Sequence, residues 1–190
     1  MLEIALTGTP RRSIAVQTTK GTNINNYVAP DVGQLDINFY HGAILGKHPD
    51  WIHRKDATGT YNCAGMVWAS RRTCLYRPED WEIILHDDGY RLVATTEDAH
   101  IGDVVVYRST ADREIIHVAR VCGRERVAFR GSTIAILYAL SKWDNKCGED
   151  VHKVDDVNLS GGTAYAIEIW TDRPAARDSR ILFAESLRGM

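Results

Sequence analysis

The sequence lacks a surplus of either charge. Its 190 residues include 23 lysines and arginines and 25 aspartates and glutamates, which gives a net charge of −2. Proteins that bind nucleic acids usually carry a basic surplus or a basic stripe. Hydrophobic residues make up 44% and charged residues 25% of the chain, which is typical of a globular domain. The composition therefore predicts one domain of ordinary size that does not bind nucleic acid.

Long apolar stretches are also missing. No run approaches the roughly 18 apolar residues that a transmembrane helix needs, and we expect no membrane partner. The first residues, MLEIALTGTPRR, place apolar residues before basic ones, which is the reverse of a secretory signal peptide. We therefore expect a cytoplasmic protein, with export by a route that needs no signal peptide as the alternative. In the cytoplasm four cysteines are expected to stay reduced: Cys63, Cys74, Cys122 and Cys147.

Several motifs of known chemistry are absent as well. The chain has no CxxC pair and no HExxH, which are spacings typical of zinc sites. It also has no GxxxxGK[ST] or GxGxxG for nucleotides, and no GxSxG turn of the serine hydrolases. His48, Asp50 and His53 are close in sequence, but their spacing is not that of a recognised ligand set. We expect neither a metal ion nor another cofactor.

The order of the predicted elements indicates an α+β fold in a single domain. Residues 1–60 contain many glycines, prolines and asparagines and are interpreted as an N-terminal arm, followed by a core over 61–170 and a tail over 171–190. The core begins with two helices, one over Cys63–Leu75 and one from Pro78 to about Leu85. Apolar runs separated by turn residues then predict an antiparallel sheet. Its strands are expected at Val104–Tyr107, Ile115–Val121, Arg126–Phe129, Ile134–Leu140 and Ala164–Trp170, with a turn at Gly161-Gly162 and a docking helix around Ile181–Phe183.

Cys63 is the first candidate for chemistry. Asn62 is a plausible N-cap, which places the thiol at a helix N-terminus, where unpaired N–H groups and the helix dipole favour the thiolate. The pattern therefore predicts a lowered pKa and a nucleophilic cysteine. Gly65 leaves the first turn uncrowded for a substrate. The backbone N–H of Cys63, with Tyr61 nearby, is expected to stabilise an oxyanion.

His117 is the candidate general base. It interrupts the apolar stretch EIIHVARV, and histidine titrates close to neutral pH, which suits proton transfer. In a strand, alternation places His117 on one face with Ala119 and Val121. A thiol nucleophile with a histidine base predicts attack on a carbonyl carbon and a thioester intermediate.

Three short elements resemble the NlpC/P60 amidases and peptidases. YNCAG (Tyr61–Gly65) at a helix start, IGDVVVY (Ile101–Tyr107) and HVARV (His117–Val121) occur in the order of that family's motifs. The resemblance covers about residues 62–140. It implies a papain-like fold, with the catalytic helix packed on an antiparallel sheet, and a Cys63–His117 pair. The chain departs from the family pattern at three positions of these elements: Asn62, Ala64 and Ala119.

The resemblance also implies a third, polar residue that orients the base histidine. Two residues compete for this role. His152 is preferred, because an imidazole is common there, and Ser141 is the alternative at the matching strand position. Asn62, together with Tyr61 and Ser141, is further assigned to oxyanion or substrate binding.

The expected function is hydrolysis of an amide by a papain-like cysteine hydrolase. The resemblance implies a peptidoglycan stem peptide as substrate. Two alternatives stay open: a toxin- or effector-type deamidase, transglutaminase or isopeptidase that acts on a cytosolic protein, and a catalytically idle binding module. The hydrolase reading predicts that the sulfur of Cys63 lies about 3–4 Å from a ring nitrogen of His117. It also predicts an open groove at this pair, with the arm as one wall.

Overall fold

The computed structural model describes residues 12–157 and 164–174, and these form an α+β fold with one seven-stranded antiparallel sheet and few helices. The predicted turn at Gly161-Gly162, the helix around Ile181–Phe183 and the first 11 residues of the arm lie outside the described residues. The strands are β1 (Ile52–Lys55), β2 (Arg91–Leu92), β3 (Val104–Ser109), β4 (Ile115–Phe129), β5 (Ser132–Lys142), β6 (Glu149–Lys153) and β7 (Tyr165–Thr171). They are ordered β1-β6-β5-β4-β3-β7-β2 across the sheet.

The helices are short. Helix α1 (Gln34–Phe39) continues into a π-helical turn (Tyr40–Ile44) and a 3₁₀ turn (Leu45–Lys47). Helix α2 (Cys63–Trp68) and helix α3 (Pro78–Asp87) follow, and a second 3₁₀ turn covers Thr96–Asp98. None of the helices in the described ranges is both long and apolar enough to span a bilayer.

Helix α2 is much shorter than the predicted Cys63–Leu75. After Trp68 the chain turns back on itself, because Ser70 and Arg71 adopt the left-handed conformation with φ of 50° and 62°. The returning segment passes so close to the helix that a Cβ on Gly65 would lie 1.8 Å from the carbonyl oxygen of Thr73. The sequence prediction failed here because an uninterrupted stretch without proline looks helical.

Strand β4 corrects a second prediction. Cys122-Gly123 was expected to separate two strands, but Ile115–Phe129 is one strand of 15 residues. The turn residues are absorbed by an irregularity in register, because Val121 faces Ala139 and Gly123 faces Tyr138. Such a bulge accommodates an extra residue without ending the strand. Strands β1, β2 and β6 were not predicted at all.

The two faces of the sheet bury separate apolar clusters. On one face Val104, Val106 and Val118 pack with α2 and α3, and this cluster includes Cys63. On the other face the alternate residues Val105, Tyr107, Ala119 and Ala139 form the second cluster. The sheet therefore lies between two apolar layers, to which Val118 and Ala119, neighbours in β4, contribute on opposite faces.

His53 ties the arm to the sheet. Its Nδ1 lies 3.1 Å from Oδ1 of Asp150, and its Nε2 lies 3.1 Å from Oδ1 of Asp56. Tyr40, on the π-helical turn, donates its hydroxyl to Asp150 at 2.6 Å. Burial disfavours the charged form of His53, but the hydrogen bonds to Asp150 and Asp56 outweigh this and raise its pKa.

The raised pKa of His53 predicts a pH-dependent contribution to stability. A histidine whose pKa is higher in the folded state stabilises fully below its unfolded pKa of about 6.5, and the effect is lost as the pH rises through the folded pKa. We expect the His53→Gln variant to lose more stability at about pH 5.5 than at about pH 8.5. Urea unfolding of both proteins at the two pH values measures this. An equal loss at both would contradict the ion-pair role.

Candidate active site

Helix α2 starts where its N-cap dictates. The side-chain oxygen of Asn62 accepts hydrogen bonds from the backbone N–H of Gly65 at 2.9 Å and of Leu75 at 3.0 Å. Its Nδ2 donates to the carbonyl of Leu75 at 2.7 Å. The Asn62 amide thus holds the helix start and the returning chain together. Its assignment to substrate binding stays a prediction. These three bonds leave the Asn62 amide little hydrogen-bonding capacity for a substrate.

Cys63 is the first residue of α2, and its thiol is buried, with 8% of the residue exposed. Burial raises the pKa of Cys63 to about 11, although nearby backbone N–H groups, first that of Val118, pull it down. The predicted lowered pKa is therefore wrong for this structure, because desolvation outweighs the helix N-terminus. The resting group is a neutral thiol.

The thiol of Cys63 meets β4 directly beside His117. Val118, whose N–H is near the sulfur, follows His117 in the strand. The pairing of β4 with β5 extends only to Arg120 and Leu140, so the sheet is split at the level of His117 and Val118. The nucleophile candidate therefore contacts β4 at a residue outside the register with β5.

The two candidate side chains do not hydrogen-bond to each other within the described ranges. The centroid of the His117 ring lies 5.4 Å from that of Tyr107 and 5.0 Å from that of Trp143. Tyr107 belongs to the second cluster, and Trp143 packs against it. Cys63 belongs to the first cluster. The two groups thus reach β4 from different faces, and the predicted sulfur–nitrogen contact of about 3–4 Å stays a prediction.

His117 is buried, with 3% exposed, and its Nε2 lies 3.2 Å from Oγ of Ser141 on β5. Burial, with a smaller contribution from the neighbouring His152, lowers the pKa of His117 to about 3. The imidazole is therefore neutral at neutral pH. The preference for His152 as the direct partner of His117 was wrong, because Ser141, the alternative, occupies that position.

His152 lies one step further along the same chain of hydrogen bonds. Its Nε2 is 2.7 Å from Oγ of Ser141, and its Nδ1 is 2.7 Å from the carbonyl oxygen of Lys153. Ser141 therefore bridges the two histidines. His152 sits on β6 opposite Ala139, which places its side chain on the same face of the sheet as Ser141.

The direction of these hydrogen bonds can be assigned from their end. A carbonyl oxygen only accepts, so Nδ1 of His152 carries the proton and Nε2 of the neutral ring accepts from the Ser141 hydroxyl. The hydroxyl oxygen then accepts from Nε2–H of His117. Nδ1 of His117 is left without a proton, which is the form that a general base requires.

Tyr61 is occupied elsewhere. Its hydroxyl donates to Oε1 of Glu149 at 2.6 Å, and Glu149 also forms a two-point ion pair with Arg71. The ring of Tyr61 lies beneath the ammonium groups of Lys55 and Lys142, at 5.2 and 5.1 Å from the centroid. The assignment of Tyr61 to an oxyanion site stays a prediction, and its hydroxyl already has a strong acceptor.

Two tryptophans that the sequence did not assign lie against the histidines. His117 stacks on Trp143, Trp143 on Trp51 (4.7 Å) and Trp51 on His48 (3.8 Å), with interplanar angles between 9° and 18°. We call these four rings the ring column. Trp143 is two residues after Ser141, so strand alternation indicated that the two share a face, whereas no sequence signal linked Trp51 to the site.

Cys63 and His117 are both buried, and the predicted open groove beside them stays a prediction. A cavity of about 510 Å³ lies elsewhere, between β2, β5 and β7, and is lined by apolar residues that include Leu92, Leu137, Ile167 and Ile169. The arm reaches the histidines through Trp51 and His48 rather than as the wall of a groove. Within the described residues no three histidine, cysteine, aspartate or glutamate side chains are placed to hold a metal ion.

Comparison with known proteins adds no relative. The sequence matches no family model, no curated protein and no solved structure. The site therefore has to be judged from the contacts of its own residues.

Proposed function

We propose that this chain is a papain-like cysteine hydrolase, with Cys63 as nucleophile, His117 as base and Ser141 as the residue that orients the base. One observation carries the proposal. The chain of hydrogen bonds from the Lys153 carbonyl to His117 leaves Nδ1 of His117 as an acceptor. The same stretch of β4 meets the thiol of Cys63 at Val118. The order and content of the three NlpC/P60-like elements support the same assignment.

The two pKa directions select one form of the mechanism. Cys63 has a raised pKa and His117 a lowered one, so the resting pair is a thiol and a neutral imidazole rather than an ion pair. This step requires a movement that brings the sulfur of Cys63 into contact with Nδ1 of His117. Nδ1 then removes the thiol proton as the sulfur attacks the carbonyl carbon, so proton transfer and attack occur together. The proton taken up on Nδ1 of His117 then passes to the leaving amine. Water releases the acyl group from the thioester.

The backbone around Cys63 supplies the remaining element of acyl transfer. The N–H of Cys63, at the start of α2, belongs to the first turn, whose N–H groups have no intrahelical acceptor. Such a group stabilises the negative oxygen of a tetrahedral intermediate. Since 8% of Cys63 is exposed, turnover requires the side chains around the sulfur to move apart. The described conformation is the closed, resting form.

The proposed substrate is a peptide amide. The resemblance favours a peptidoglycan stem peptide, and an amide of a cytosolic protein is the alternative, as in a deamidase, transglutaminase or isopeptidase. The catalytically idle binding module is the contrasting possibility. Both enzymatic readings require an acyl group on Cys63 as an intermediate, whereas the idle module never forms one.

Trapping of the acyl-enzyme tests the proposal. The wild-type protein, mixed with stem-peptide fragments or with glutamine-containing proteins and quenched in acid, should carry an acyl adduct on Cys63 in peptide mass spectra. His117→Gln should lower the rate of adduct formation by about 10²–10⁴-fold, the usual effect of losing a general base. His86→Gln, at an exposed histidine on α3, is the matched control. Binding of these substrates without any adduct would favour the idle module.

A further inference from the structure

His152 is a buried histidine that the proposed mechanism uses to fix the tautomer of His117 but not to carry a proton. It is 2% exposed and lies beside the stacked rings of Trp51 and Trp143, at centroid distances of 5.2 and 4.9 Å. Within the described part of the chain, its ring nitrogens bond to Ser141 and to the Lys153 carbonyl. A polar ring held this deeply, with both nitrogens in good contacts, does more than fill space.

The same hydrogen bonds form a path along which protons can move. Nε2–H of His117 points to Oγ of Ser141, and the Ser141 hydroxyl points to Nε2 of His152, which has a free lone pair. Each donor faces an acceptor in the same direction, from β4 through β5 to β6. Both distances, 3.2 and 2.7 Å, are within the hydrogen-bonding range.

We propose that His152 is the terminal acceptor of a proton relay, so that the charge created when Cys63 loses its proton ends on His152 and not on His117. This proposal rests on the function proposed above. The thiol proton moves to Nδ1 of His117 as the S–H bond breaks. The Nε2 proton of His117 moves to Oγ of Ser141, and the hydroxyl proton of Ser141 moves to Nε2 of His152. One proton enters the chain and none leaves it, and the single positive charge passes from one ring to the other.

The surroundings of the two histidines favour this direction. Burial disfavours the charged form of both rings. Around His152, however, the Lys153 carbonyl and the charges of Asp156 and Asp150 favour the imidazolium, whereas His48 disfavours it. Among the described residues no acidic group acts on His117 in this way, and the neighbouring His152 opposes a charge there.

The two carboxylates are themselves fixed in place. Asp156 accepts a hydrogen bond from Nε1 of Trp51 at 3.2 Å, and Asp150 accepts from Tyr40 and contacts His53. A positive charge on His152 is therefore met by negative charges whose positions are already set. Preorganised charges of this kind stabilise a developing ion without rearrangement.

Two measurements on His152→Gln separate a relay from a purely structural role. The glutamine carbonyl oxygen can accept the Ser141 hydrogen bond and so keep the His117 tautomer, but it does not take up a proton. Nitrogen-15 NMR of the unliganded proteins should show the proton of His117 on Nε2 in both. Alkylation of Cys63 by iodoacetamide near pH 7, followed by mass spectrometry, should be about tenfold slower in the variant.

The other cysteines are internal controls in the same samples. Cys122 is partly exposed and should react at the same rate in both proteins, while the buried Cys74 and Cys147 report any general loosening of the fold. Equal alkylation of Cys63 in the two proteins, or a wild-type His117 protonated on Nδ1, would overturn the relay. A failure of the proposed function gives a different result: Cys63 is alkylated more slowly in His152→Gln than in the wild type, but no substrate acylates Cys63.

Discussion

Replacing Cys63 with alanine should abolish amide hydrolysis while the protein remains folded. Without the sulfur no thioester forms, and removal of a nucleophile in such a system typically lowers the rate by about 10³-fold or more. The side chain is small and the substitution removes one atom, so the loss of stability should be about 1 kcal/mol. Turnover of the best substrate from the acylation experiment, together with urea unfolding, measures both effects.

A matched substitution makes this result specific. Cys74→Ala removes another buried thiol from the same region of the chain, next to the carbonyl of Gly59, and should leave turnover within about twofold of wild type. If Cys63→Ala kept wild-type turnover on a substrate that the protein accepts, Cys63 would not be the nucleophile. The same loss in both variants would point to structure and not to chemistry.

Replacing Gly65 with alanine should have the largest effect on stability. The added Cβ would lie 1.8 Å from the Thr73 carbonyl oxygen and 3.0 Å from Cβ of Tyr61. Both neighbours are held, since Thr73 is in the returning chain and Tyr61 is bonded to Glu149. Overpacking of this kind typically lowers the free energy of unfolding by about 1–3 kcal/mol. Because the clash here is with backbone, we expect a loss at or above the upper limit of that range. We expect the midpoint of urea unfolding to fall sharply.

Gly42→Ala provides the control for that substitution. Gly42 lies in the π-helical turn, and a Cβ there would meet nothing within 4 Å. Alanine favours helical backbone more than glycine does, so this variant should be as stable as wild type or slightly more stable. A Gly65→Ala protein as stable as Gly42→Ala would mean that the chain does not cross over α2 at this point.

The parts of the fold that the sequence predicted are those fixed by near neighbours. Asn62 before Cys63 and Pro78 at the next helix start are local signals, and both helices begin where these signals place them. Strand β3 was recognisable as an apolar run. Strand β6, by contrast, has the sequence EDVHK and is buried only because distant partners pair with its charges. Those partners include Arg71, which lies 78 positions away from Glu149.

The candidate site divides in the same way. Cys63 and His117 were found because each carries its signal in its own element, a helix start and an apolar strand. The choice between Ser141 and His152 depended on how β5 pairs with β6, and no local pattern encodes that register. The burial that raises the pKa of Cys63 likewise comes from packing across the whole domain. The position of Cys63 at a helix start therefore predicted a lowered pKa, whereas the pKa is raised.

The ring column is expected to couple the evolution of the arm to that of the core. Trp51 belongs to the arm, whereas Trp143 and His117 belong to the core, yet the rings stack as one unit. A change of Trp51 to a small residue removes one of the two rings that stack on Trp143, and a change of Trp143 removes the ring that stacks on the imidazole of His117. Among descendants of this sequence, the two tryptophans are therefore expected to be kept together or lost together.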